Sequence, residues 1–161
     1  MLSHVAIALS TFSLISAVPA AKSGPSCAAP ASRSIEWVGC DFDNAWYGVS
    51  KKDSYDHWSA EFRLCAGLGG HVAWMNEQDE DQCAAQALIQ TNTLNEYVVL
   101  SGDKPDEQWV WPHDHPMTYY NWFPGSTSEG NCMGAYYDGT TYGWVQADCF
   151  QKSKAMCRVN C

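Results

Sequence analysis

Apolar residues at Trp58, Phe62 and Cys65 recur at i, i+4 and i+7, the spacing of one face of a helix. The pattern predicts a helix over 55–67, opened by Ser54 as a cap and closed by Gly67. Immediately afterwards the period drops to two. In GGHVAWM, His71, Ala73 and Met75 alternate with Val72 and Trp74, which predicts a short strand. Asn76 is the next candidate cap, and Glu77, Asp79, Glu80 and Asp81 fill a first turn where the helix dipole favours acids. That second helix is expected to run through CAAQALIQ to Gln90. WYGVS, Trp46 to Ser50, reads as an earlier strand, and from Tyr97 onward the chain turns to short β-rich runs: YVVLSG, QWVW, YGWVQADC and KAMCRV. Between the second and third of these lies a long irregular stretch, PHDHPMTYYNWFPGSTSEGN. A strand, two helices and then a run of strands is an α+β order.

The N-terminal part follows other rules. Val5 to Val18 is apolar and uncharged, too short to span a bilayer comfortably, and is followed by the small residues Pro19 and Ala20. Residues 1–20 are therefore expected to be a signal peptide, and the protein secreted and extracellular. Residues 21–39, rich at first in Pro, Ser and Ala, read as an N-terminal arm, and 40–161 as one domain. Nothing beyond the leader is long and apolar enough for membrane insertion.

Eight cysteines, all beyond residue 20, change the picture further. An even number in a secreted chain argues for four disulfides, and no paired C-x-x-C ligands suggest zinc. The formal net charge of −9 argues against nucleic acid or anionic lipid as partners. No G-x-S-x-G, H-E-x-x-H or phosphate-binding loop is present, and oxidised cysteines leave no thiol nucleophile, so no enzyme is expected. Eight Trp and eight Tyr exceed what a small core needs and suit either a large loop cluster or a binding face.

Taken in order, GGHVAWM after a helix ending near Cys65, then VVLSG, QWVW, Tyr120-Asn121-Trp122, Pro124-Gly125, Cys132, Trp144-x4-Cys149 and Cys157 resemble the C-type lectin-like domain from about Trp46 to Cys161. The resemblance implies two helices flanking small antiparallel sheets, with a long irregular ligand loop. It also implies the bridges Cys65–Cys157 and Cys132–Cys149, each of a kind that contributes about 2–4 kcal/mol. Cys27, Cys40, Cys83 and Cys161 then allow three pairings. The resemblance sets the first and last strands side by side, which favours Cys40 with Cys161 and Cys27 with Cys83; Cys27–Cys40 with Cys83–Cys161 is the rival.

Sugar-binding relatives hold calcium through Glu-Pro-Asn or Gln-Pro-Asp in the long loop and Asn-Asp after the strand tryptophan. Calcium needs six to eight oxygens. At those positions this chain has Ser126-Thr127-Ser128 and Val145-Gln146, so the usual site is expected to be lost. Glu129, Asp138 and Asp148 remain as the oxygen donors for a rebuilt calcium site, with Asn131 nearby. His113 and His115 form a His-x-His on a loop, Asp103, Asp106 and Glu107 an acidic turn, and His71 a packed strand histidine. The tyrosines and neighbouring aromatics of 119–142 divide between core and a binding face.

The expected function is a secreted protein that recognises a glycan or glycoprotein with open calcium dependence, through residues 112–149. Its ligand-binding residues are expected among Tyr119, Tyr120, Glu129, Asn131, Tyr137, Asp138, Gln146 and Asp148. The alternative is a calcium-independent protein-interaction module that docks a protein partner on the aromatic face of the long loop.

Overall fold

The computed structural model describes residues 24–51, 58–126 and 129–161. The expected leader 1–20, the Ser54 cap, residues 55–57 of the first helix, and Thr127 and Ser128 lie outside the described residues. In chain order the elements are β1 (Ile35–Cys40), β2 (Ala45–Ser50), α1 (Trp58–Gly67), β3 (His71–Val72), α2 (Gln78–Gln90), β4 (Val98–Asp103) and β5 (Val110–Trp111). A 3₁₀ turn (Pro112–Asp114) follows, then β6 (His115–Pro116), β7 (Cys132–Tyr137), β8 (Tyr142–Ala147) and β9 (Lys154–Asn160).

The terminal strands build one half of the sheet. β1 and β2 form an antiparallel hairpin, turned at Asn44 with φ 51°, a left-handed conformation that asparagine tolerates. β9 adds antiparallel to β2, with Gly48 opposite Cys157, and β3 pairs with β9 as well. β9 then runs parallel to β4, whereas the other pairings between the strands named above are antiparallel. β4 carries β5 and β6 on one side and the β7–β8 hairpin on the other.

Alternation splits the core into two. Along β4, Val98 and Leu100 face one cluster with Met75, Leu88, Met133, Trp111 and Trp144, while Val99 faces another. β9 does the same: Met156 joins the first cluster, and Ala155 and Cys157 the second with Cys65 and Val72. The central strands are buried on both faces, which is why VVL and AMC read as continuous apolar runs. α2 lies over β1, β2 and β7, and α1 packs on β3 and β9. Gly134 in β7 is needed for close approach, since a Cβ there would run into the ring of half-buried Tyr97.

Several expectations need correction. Residues 35–39, assigned to the arm, are strand and pair with β2. Asn76 does not cap α2: Glu77 occupies that position without a side-chain cap bond, and the Asn76 N–H donates to Glu80 Oε2 at 2.7 Å. QWVW and GGHVAWM shrink to two-residue strands.

The bridges Cys65–Cys157 and Cys132–Cys149 are present. The other four cysteines form neither expected arrangement but the third one, Cys27–Cys161 and Cys40–Cys83. The reason is β2, which lies between β1 and β9 and holds Cys40 a full strand away from Cys161. Residues 26–27 instead cross the β1–β2 turn. Ser26 N–H donates to Asn44 Oδ1, Trp46 Nε1 to the Cys27 carbonyl, and Cys161 N–H to the Asn44 carbonyl. That brings Cys27 to Cys161 and frees Cys40 for α2.

Glu61, in the first turn of α1, is fully buried, and among the described residues neither carboxylate oxygen has a hydrogen-bond partner. Burial pushes its pKa up to about 8. A raised folded-state value favours the fold while the carboxyl stays protonated. Its contribution is therefore full below about 4.5 and lost as pH rises through about 8. Wild-type melting temperature is expected to fall across that window, and Glu61→Gln to flatten the decline and melt higher at pH 8. Identical pH slopes for the two proteins would refute this role.

Candidate functional site

The long loop between β6 and β7 is fixed from below by a single carboxylate. Asp81, in the first turn of α2, is 3% exposed. Its Oδ1 accepts from Tyr142 Oη at 2.8 Å and Trp144 Nε1 at 2.7 Å, both on β8. Its Oδ2 accepts from Asn121 Nδ2 at 2.7 Å and Tyr119 Oη at 3.1 Å, both on the loop. Burial raises the Asp81 pKa above the ordinary carboxylate value, and the four hydrogen bonds pull against that rise. Burial, and then the Asp81 charge, raise Tyr119 to about 12 and Tyr142 well above the usual phenol. Backbone bonds complete the clamp: Trp144 N–H donates to Asn121 O, and Phe123 N–H to Trp144 O.

Sequence reading saw Asp81 only as a helix-dipole acid. The missed signal is its position three residues before Ala84 and seven before Leu88, a lone carboxylate on the buried face of the helix.

Above this clamp lies an open cleft of about 380 Å³. Trp109, Trp122 and Phe123 supply its aromatic surface, Gly125, Ser126 and Gln146 one edge, and Lys104 and Glu107 the other. Trp109 and Trp122 pack with ring centroids 5.2 Å apart and planes tilted by 54°. Lys104 Nζ and Glu107 Oε2 are 2.8 Å apart, so the one carboxylate of the cleft is already paired. The side-chain oxygen of Gln146 is buried and, among the described residues, has no hydrogen-bond partner. Trp109 and Lys104 were not singled out from sequence, because each reaches the cleft from the β4–β5 connection rather than from the loop.

The expected ligand residues are scattered. Gln146 lines the cleft. Tyr119 is turned inward on Asp81, its ring edge-on to Trp144 at 5.7 Å. Tyr120 is 54% exposed, and its hydroxyl donates to the Met117 carbonyl. Tyr137 donates to the Gly139 carbonyl. Asp138 Oδ1 accepts from Thr140 N, Thr140 Oγ1 and Thr141 N, bonds that hold its pKa below the usual carboxylate value. Asp148 Oδ1 accepts from Phe150 N. Glu129 and Asn131 are exposed before β7.

Glu129, Asp138 and Asp148 do not meet around one ion. β7 and β8 pair from Cys132↔Ala147 to Tyr137↔Tyr142, so Asp138 sits beyond one end of the hairpin and Asp148 beyond the other. Seven strand steps separate them, roughly 20–25 Å. Nor does the cleft fit calcium, since a hydroxyl, an amide and an ion-paired carboxylate fall well short of six oxygens.

Among the described residues, the grouping with metal-ligand spacing is Cys40, Asp43 and Cys83, and its two sulfurs are joined to each other in a disulfide. His115 stacks on Trp74 at 6.1 Å, while His113 lines a separate pocket with Asp103 and Asp114. His71 is half-buried on β3, with burial lowering its pKa.

A family model described as the Lectin C-type domain matches residues 51–159. The C-type lectin domain family 6 member A of Mus musculus is 24% identical over 123 residues, covering 73% of this chain and 57% of that protein. The chain thus spans little more than half the length of that curated relative. Among solved structures, human lithostathine superposes with TM-score 0.64 at 16% identity, covering 81% of this chain and 100% of that one. The C-type lectin domain of murine dendritic cell inhibitory receptor 2, solved in complex with N-glycan, gives TM-score 0.60 at 19% identity, covering 81% and 99%. No helix among the described residues is long and apolar enough to cross a membrane.

Proposed function

The chain belongs to the C-type lectin family, and from that premise we propose a secreted, non-enzymatic binding protein that recognises carbohydrate at the Trp109–Trp122–Gln146 cleft without calcium. The observation that carries this reading is the substitution of chemistry at one place. Ser126 and Gln146, where the family's calcium motifs would align, line a cleft walled by two indoles and a phenyl ring, and its one carboxylate, Glu107, is paired with Lys104. Aromatic faces offer the C–H face of a pyranose a flat apolar partner, and the few polar groups at the edge orient its hydroxyls. The buried Gln146 oxygen would accept from such a hydroxyl, or from an acetamido N–H, and gain the partner it lacks. The Asp81 clamp supports the reading too, because a loop already held in place loses less freedom on binding.

The test is a glycan array probed with the wild-type protein and with Trp109→Ala. Carbohydrate recognition predicts discrete glycan hits that free sugar competes away and that Trp109→Ala loses, with a drop in affinity of about tenfold or more. An empty array would overturn the reading and move the search to protein partners on the same aromatic face.

A further inference from the structure

We propose that the carbohydrate surface has two contiguous subsites divided by Trp109, so that its ligand is an oligosaccharide rather than a single sugar. The inference rests on the carbohydrate reading above and deepens it. Trp109 and Glu107 line not one cleft but two. The first, described above, lies on the Trp122 side. The second, of about 320 Å³, continues on the other side between Trp109 and Tyr120, over Pro116 and Met117. Each is near the ~300 Å³ lower bound of small-ligand pockets, and a single sugar placed in either would leave the other empty.

The second cleft has the same build as the first. Tyr120 is 54% exposed, yet its hydroxyl donates to the Met117 carbonyl at 3.0 Å, which holds the ring in place with a face open to solvent. A fixed aromatic ring presents area at little cost in conformational freedom. Trp109 is held in turn by its packing on Trp122. Each cleft therefore combines rings with polar side chains: Trp122 and Trp109 with Gln146 and Glu107 in the first, Trp109 and Tyr120 with Glu107 and Gln108 in the second. A saccharide chain repeats the complementary pattern, with a C–H face and a hydroxyl edge on every unit. An apolar peptide side chain would leave the buried Gln146 oxygen without a partner, at a cost. The Glu107 charge is balanced by Lys104, which fits a neutral glycan.

The full chain would be titrated with N-acetylglucosamine, its β1,4-linked di- and trisaccharides, and the N-glycan pentasaccharide core, following tryptophan fluorescence. The expected result is a gain of about tenfold or more from the monosaccharide to the best oligosaccharide. Tyr120→Ala should cut oligosaccharide affinity by more than it cuts monosaccharide affinity, and Tyr120→Phe should keep most of the gain. Trp109→Ala should weaken both. Unaltered melting temperatures would show that the Tyr120 variants remain folded. Equal affinity for mono- and oligosaccharides, or a Tyr120→Ala loss equal for both, overturns the two-subsite proposal while leaving the carbohydrate reading intact. Binding of none of these probes, with an empty array, overturns the carbohydrate reading and this inference with it.

Discussion

Arg158→Ala is expected to destabilise the protein by about 3–5 kcal/mol, the loss typical of a buried ion pair stripped of one partner. The guanidinium is buried on β9, with NH2 2.9 Å from Asp43 Oδ2 and NH1 2.9 Å from Glu80 Oε1. It also donates to the Trp74 carbonyl and to Asn160 Oδ1, and sits 5.7 Å from the centre of the Tyr47 ring. One side chain thereby ties the last strand to the β1–β2 turn and to the start of α2. Removing it leaves two mostly buried carboxylates facing each other without a cation. Arg158→Lys should recover only part of the loss, since one ammonium cannot serve both carboxylates with the geometry of a planar fork. Denaturant midpoints measure both variants. An Arg158→Ala protein within about 1 kcal/mol of wild type would show the pairs to be worth no more than surface ones.

Asp81→Ala is the second large effect, and it should reach function as well as stability. It strands four donors. Asn121 and Tyr119 are half-buried and can turn to water, but Trp144 is fully buried and its indole N–H cannot. With the Trp144 N–H and the Tyr142 hydroxyl stranded at about 1–3 kcal/mol each, the expected loss is about 2–6 kcal/mol. Asp81→Asn keeps one acceptor oxygen and turns the other into a donor facing donors, so an intermediate loss is expected. The distinguishing readout is limited proteolysis. With the clamp gone, residues 117–126 should be cut in the still-folded protein, and glycan affinity should fall with loop order. A variant that loses stability evenly, with no change in cleavage at the loop, would assign Asp81 to the core alone.

These two residues also show where sequence reading stops. Trp58, Phe62 and Cys65 announced a helix face, and the apolar runs in β4 and β9 announced buried strands, because periodicity is local. The motif order from GGHVAWM to Cys157 carried the family and two bridges. The remaining bridges turned on whether a strand lies between Cys40 and Cys161, and a hairpin at 35–50 decides that only once β1 is recognised. β1 was hidden because its first residues continue a Pro/Ser/Ala-rich stretch. The site was less legible still. Asp81 is 38 to 63 residues from the groups it binds, and the cleft joins the β4–β5 connection to the loop and β8. Substitution of the calcium oxygens could be read directly from Ser126 and Gln146. The aromatic surface in their place could not, since it depends on Trp109 arriving from elsewhere in the chain.

The most direct test of the central claim is glycan binding by the oxidised protein in excess calcium and in excess chelator, alongside calorimetric titration with calcium alone. Recognition by the aromatic cleft predicts the same affinity in both buffers and no calcium heat. Chelator-sensitive glycan binding with a saturable calcium heat would contradict it and place the metal back in the recognition of the sugar.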